Sequence, residues 1–153
     1  MDTFSIERIT KITDDIVEAA QRLALQLHSP NQGTITPEYL EKMVSNPDHY
    51  WLVARTDEGR IIGMASLFIM RVPTNIRSSL ENVVVDEASR SLGIGHALHK
   101  KAFEIADEQG VNTLRTATWK ENTAVKSMLA ELGFEIDTDL TYYEGDIHQG
   151  ARF

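Results

Sequence analysis

Apolar and polar positions switch between two periods along the chain, the pattern of a mixed α/β fold. Residues 4–9 alternate and predict a first strand. From Thr13 the spacing changes. Ile16, Ala20, Leu23 and Leu27 recur at helical intervals, Thr13 can cap that helix, and Asp14 and Asp15 lie beside the positive end of its dipole. Ser29-Pro30-Asn31-Gln32-Gly33 breaks it, and Thr36-Pro37 starts a second helix that runs to about Ser45. Residues 50–55 and 60–70 predict two strands joined by a hairpin turn at Thr56-Asp57-Glu58-Gly59. Residues 71–78, with Pro73 and Asn75, read as a loop, and residues 80–85 as a strand. Its unbroken end, Val83-Val84-Val85, suits a strand covered on both faces.

Residues 86–92 form a polar loop, and a long helix follows over about 93–109. Ala97, Leu98, Ala102, Ile105 and Ala106 lie on its buried side, with Gly110 as its C-cap. Residues 113–118 are β-branched and strand-like. Asn122 or Thr123 caps a last helix that closes at Gly133. Residues 134–136 and 140–145 read as a closing strand pair, and residues 148–153 as a frayed end. There is no repeat and no linker, so 153 residues suit a single domain over 1–153.

Apolar residues make up 42% of the chain and charged residues 25%, which excludes a disordered, collagen-like or coiled-coil protein. No run approaches the roughly 20 apolar residues of a membrane span. The start shows no secretory signal, and the absence of cysteine removes disulfides, thiolate metal sites and cysteine nucleophiles, so a cytoplasmic location is expected. A net charge of −8 lacks the footprint of a nucleic-acid binder; it serves solubility and is compatible with a cationic substrate.

Candidate chemistry concentrates in one segment, Val83-Val84-Val85-Asp86-Glu87-Ala88-Ser89-Arg90-Ser91-Leu92-Gly93-Ile94-Gly95-His96. A buried strand leads through a polar loop into a glycine-rich helix start. Free N–H groups there, with the helix dipole behind them, form an anion site. Gly93 and Gly95 let a phosphate approach the backbone, and Arg90 adds a positive charge. A P-loop would need Lys-Ser or Lys-Thr after the second glycine, where His96 and Ala97 stand. A dinucleotide fingerprint would need a third glycine where Leu98 stands.

Arg90-x-x-Gly93-x-Gly95 after a valine strand resembles the acetyl-CoA-binding motif of the GNAT N-acetyltransferase superfamily. Asn122 through Phe134, ending in Leu132-Gly133-Phe134, resembles the family's second motif, and Gly63-Met64-Ala65 its central strands. The resemblance implies a mixed sheet of about seven strands, splayed centrally, with about four helices on both faces. It further implies that the valine strand bulges and pairs through Val83, Val84 and Val85 with the pantetheine arm of acetyl-CoA. The N–H groups of Arg90, Ser91, Leu92, Gly93, Ile94, Gly95 and His96 would then hold the pyrophosphate. Asn122 matches the family's asparagine, which contacts the cofactor; an ordinary helix cap is the alternative.

The implied reaction is direct attack of a primary amine, of a small molecule or peptide, on the acetyl thioester. Glu81 is the candidate base or substrate anchor; strand alternation puts it on one face with Val83. Leu129 stands where many members carry a tyrosine that protonates the leaving thiolate, so Tyr142 or Tyr143 on the last strand is the candidate substitute. Leu129 also motivates the alternative of an inactive acyl-CoA sensor of the same fold. Arg71 and Arg77 could pair an acidic group of the substrate, and Trp119 either walls the thioester pocket or packs in the core. His96 and His99 lack a third ligand nearby, so no metal is expected. Family practice implies a homodimer through paired C-terminal strand edges, with no nucleic-acid or membrane partner.

Overall fold

In the computed structural model, which describes residues 3–27 and 33–145, five strands form one mixed sheet in the order β1-β2-β3-β4-β5. They are Phe4–Ile9 (β1), His49–Thr56 (β2), Ile61–Val72 (β3), Asn75–Val85 (β4) and Leu114–Thr116 (β5). β1 through β4 pair antiparallel, whereas β5 runs parallel to β4. The helices are Asp14–Ala24 (α1), Pro37–Val44 (α2), Ile94–Glu108 (α3) and Thr123–Glu131 (α4). The expected loop over 29–33 lies outside the described residues except for Gly33, as does the expected frayed end.

The described residues divide into two compact units, one ending at Ala117 and the other beginning at Thr118. In the first, side-chain alternation along the sheet feeds two apolar layers. Ile9, Trp51, Val53, Met64 and Val84 face Ile16, Ala20 and Leu23 of α1 and Leu40 of α2. The opposite face carries Leu52, Ala65, Leu67 and Leu80, all at most 1% exposed, and receives Ile94, Leu98 and Ala102 of α3. Burying each such leucine contributes roughly 1.5–3 kcal/mol.

Local chemistry sets the helix limits. Thr36 caps α2 by accepting from the Tyr39 N–H at 3.1 Å, with Pro37 at the first position. Thr13 precedes α1 in extended backbone, but its hydroxyl donates to Asp15 instead of capping. Leu27 falls beyond α1, which ends at Ala24. At the end of α3, the Val111 N–H reaches the Ala106 carbonyl and the Gly110 N–H the Asp107 carbonyl, both at 2.9 Å. This closure needs the left-handed backbone of Gly110, at φ 76°.

Two expectations fail. Residues 71–78 are not a loop: β3 and β4 run together to Val72 and Asn75, leaving Pro73 and Thr74 as a two-residue turn. Residues 134–136 and 140–145 are not strands, so the described sheet has five strands where about seven were expected. The edges on which pairing of two copies was expected are therefore not formed among the described residues. In the second unit, α4 is capped by Asn122 and closes as α3 does, with Phe134 N–H to Leu129 carbonyl at 2.9 Å and Gly133 N–H to Ala130 carbonyl at 3.0 Å. No helix among the described residues is long and apolar enough to cross a membrane.

Candidate active site

β4 outruns its parallel neighbour. The β4–β5 ladder covers only Ser78–Leu80 against Leu114–Thr116, and the Thr116 hydroxyl seals its end on the Leu80 carbonyl at 3.2 Å. From Glu81 to Val85 that side of β4 has no strand against it among the described residues. The Asp86 N–H donates to Ile62 of β3 at 2.8 Å, so alternation turns the main chain of Val84 toward β3 and that of Val83 and Val85 toward the gap. Val84 is also buried at 5% exposure, so it does not share the open edge that was expected to include it. The Val85 carbonyl accepts from Arg90 Nε at 3.3 Å, which leaves the Val85 N–H and both groups of Val83 facing the gap.

Beyond β4 the chain makes a short 3-10 turn, Glu87–Ser89, within what was expected to be plain loop. It then passes through two left-handed residues, Ser91 at φ 66° and Gly93 at φ 80°, before α3 begins at Ile94. Among the described residues no acceptor takes the N–H groups of Ser91 through His96, and no side chain caps the helix. Nothing stands within 4 Å of the place a Gly93 Cβ would occupy. A row of unpaired amides at the positive end of a 15-residue helix, open above its glycine, is shaped to hold a phosphate. Arg90 is exposed beside it, tied back to the end of β4.

Glu81 lies on a different face from the one alternation predicted. Ser66 of β3 pairs with Glu81 and Met64 with Val84, so β4 spends one extra residue there. The extra residue makes a bulge, with Asn82 left-handed at φ 51°. Glu81 therefore shares its face with Val84, the face that carries α1 and α2, and not with Val83. Its exposed carboxylate accepts from the Ser79 hydroxyl on the same face. The GNAT resemblance implied a bulge in this strand, but not its place between Glu81 and Val83; asparagine inside a valine strand is the signal for that place, since asparagine tolerates left-handed backbone.

The two candidate arginines separate. Arg71 reaches Asp48 at 3.5 Å and Gln109 at 3.3 Å. The side chain of Arg77, opposite Met70 and on the face of Glu81, makes no hydrogen bond or ion pair with any described residue. His49, on that face too, is 5% exposed, stacks on Phe68 with centroids 4.2 Å apart, and leaves Nε2 without a partner. His96 and His99 also diverge: His96 is exposed, whereas His99 is 2% exposed and its Nδ1 donates to the Gly95 carbonyl at 2.7 Å.

Residues 14–134 match the sequence profile of the acetyltransferase (GNAT) family. The chain belongs to that family. Solved structures with the same fold include a transcriptional regulator from Bacillus halodurans C-125, at 20% identity and TM-score 0.78, covering 94% of this chain and 100% of that one. Glucosamine-6-phosphate N-acetyltransferase from Arabidopsis thaliana superposes with TM-score 0.76 at 20% identity, over 94% of this chain and 99% of that one. An aminoglycoside 6'-N-acetyltransferase from Acinetobacter baumannii gives 0.73 at 19% identity, over 94% and 99%.

The second unit holds the remaining residues that the GNAT resemblance singled out. Asn122 is an N-cap: its Oδ1 accepts from the Val125 N–H at 3.2 Å, leaving its amide hydrogens. Leu129 is half-buried on α4. Tyr142 and Tyr143 are not strand residues as expected; they lie in irregular backbone, 73% and 93% exposed. Trp119 is 53% exposed, so it is not a core residue.

Proposed function

We propose that this protein moves the acetyl group of acetyl-CoA to a primary amine of a small molecule or peptide, by direct attack in a ternary complex. The observation that carries this is the unpaired amide row from Ser91 to His96 standing at the end of a strand whose edge is open from Glu81 onward. The amides and the Gly93 backbone would take the pyrophosphate, with Arg90 adding charge. Val83 and Val85 would pair with the pantetheine arm as a short added strand. Asn122 would add a contact through its amide.

The chemistry then asks little of the side chains. An alkyl amine has an ordinary pKa near 10.4, so deprotonating it at pH 7 costs about 5 kcal/mol. Glu81, on the α1/α2 face next to the open edge, is the group to receive that proton, directly or through water, or to anchor the ammonium beforehand. The amine nitrogen bonds to the acetyl carbon as the carbon–sulfur bond breaks. The departing thiol, with an ordinary pKa near 8.5, leaves acceptably as thiolate, which suits a site with Leu129 at the family's tyrosine position. N–H groups on the open edge would stabilise negative charge developing on the carbonyl oxygen.

Titration calorimetry with acetyl-CoA tests the first half. Saturable heat is expected, and no heat at high micromolar ligand overturns the reading. A thiol-release assay over a panel of amines tests the second half. Glu81→Gln should slow turnover by roughly 10²-fold or more while sparing acetyl-CoA affinity; unaltered turnover removes Glu81 from the mechanism. Leu129 favours a second reading, an acyl-CoA sensor, and binding without thiol release from any amine would select it.

A further inference from the structure

We infer that Asp86 is the positioning residue of the pyrophosphate loop, held from outside by Arg22 and Arg60. This rests on the reading of the Ser91–His96 amides as a pyrophosphate site. Asp86 is the first residue after β4, and its side chain is only 7% exposed. Its Oδ2 accepts from Arg22 Nη1 of α1 at 2.5 Å and from Arg60 Nη2 at 3.0 Å. Arg22 is itself fixed, since its Nη2 donates to the Ile61 carbonyl at 2.7 Å. The other carboxylate oxygen accepts from the Ala88 N–H at 3.4 Å and starts the 3-10 turn. Just past the end of α1, Gln26 Oε1 accepts from the Glu87 N–H at 2.8 Å.

Between β4 and α3 the remaining hydrogen bonds are local. Ser89 N–H reaches the Asp86 carbonyl at 2.8 Å, and Arg90 reaches back to Glu87 and Val85. Among the described residues, the loop's long-range hydrogen bonds are all made at Asp86 and Glu87. A buried ion pair of this kind adds little stability over an apolar replacement, so its effect is to fix geometry. The geometry fixed here is the exit of β4, from which the chain must reach two left-handed residues and present a row of amides. An anchored loop has less freedom to lose when a diphosphate binds.

The test compares two acyl donors on the intact protein. Acetyl-CoA carries the pyrophosphate; acetyl-pantetheine ends before it and reaches only the β4 edge. Asp86→Asn removes the charge at nearly constant shape. Arg60→Met removes one guanidinium whose side chain is 62% exposed, and so stays informative where Asp86→Asn destabilises the fold. In both variants the dissociation constant for acetyl-CoA should rise by about tenfold, with acetyl-pantetheine changed less than about threefold. A merely structural role would weaken both donors alike. Equal weakening, or unchanged acetyl-CoA affinity in both variants, overturns the inference. Wild-type protein that binds no acetyl-CoA takes down the site reading itself, a different outcome from wild-type binding that the variants share.

Discussion

Gly93 sits at φ 80° with open space where its side chain would be, so the backbone and the ligand set separate demands on this position. Asparagine tolerates left-handed backbone better than other residues with a side chain, and aspartate has nearly the same shape. Gly93→Asn and Gly93→Asp therefore share the strain and the bulk and differ by one charge. A carboxylate about 4 Å from a phosphate costs on the order of 1–4 kcal/mol. Gly93→Asp should bind acetyl-CoA at least tenfold more weakly than Gly93→Asn, a ratio that calorimetry reads directly; equal affinities would remove the diphosphate from this position. Asn122 allows a similar separation. Asn122→Ala deletes the cap of α4 and should cost about 1 kcal/mol. Asn122→Asp keeps the capping oxygen and deletes the amide donors, so it should retain the melting temperature and lose acetyl-CoA affinity. Retained affinity would leave Asn122 a cap alone.

The contact between α3 and the sheet is close enough to fix where the amide row stands. A Cβ at Gly63 would meet Ile94 Cγ2 at 2.9 Å, the Val84 carbonyl at 3.3 Å and Leu98 Cδ1 at 3.5 Å. Ile94 is the first residue of α3 and is 1% exposed, so it has nowhere to retreat. Gly63→Ala should destabilise the protein by about 1–3 kcal/mol and shift the helix start. Denaturant unfolding reads the first effect and acetyl-CoA titration the second, and an unchanged midpoint would show that the helix yields freely. Elements of this kind were legible in the sequence wherever periodicity carried them: β1, β2, both helices before β2, and α3 with its Gly110 closure. The strand over 71–78 was not, because Pro73 and Asn75 are turn residues whether they end a hairpin of two residues or fill a loop of eight. The face of Glu81 was misread for a related reason. Alternation holds only while the ladder is regular, and one residue at φ 51° reverses it. The unpaired amide row was legible because glycines and a helix start are sequence features. The clamp on Asp86 was not, since Arg22 and Arg60 lie 64 and 26 residues away along the chain.

Across the whole molecule, acid should act in two separate windows. Burial pushes His49 and His99 below the ordinary histidine value of 6.5, against the Met43 and Gly95 carbonyls that pull the other way, and the charge of Arg8 and of His96 adds to the lowering. Both are therefore neutral in the fold at pH 7. As pH falls through about 6.5, the unfolded chain takes up protons that the fold refuses, so stability declines, by at most about 1.4 kcal/mol per pH unit for each histidine. Asp86 acts in the same sense, in a lower window. Burial works to raise its pKa, but the Ala88 N–H, Arg60, Gln26 and the charge of Arg22 outweigh it and hold the carboxyl below its ordinary 3.8. Its contribution is present above that value and is lost as pH drops through the lower, folded one. Asp15, bonded to Thr13 and Arg55, is lowered too, but it is largely exposed and solvent screens its share. Denaturant midpoints between pH 7.5 and 5.0 should fall in the wild type, and His49→Gln should flatten that slope without altering the loss below about pH 4. His49 leaves its buried Nε2 without a partner, so its protonation would put an uncompensated charge in the interior. A slope that His49→Gln leaves intact would assign the upper window to His99 alone, whose Nδ1 holds the Gly95 carbonyl behind the amide row.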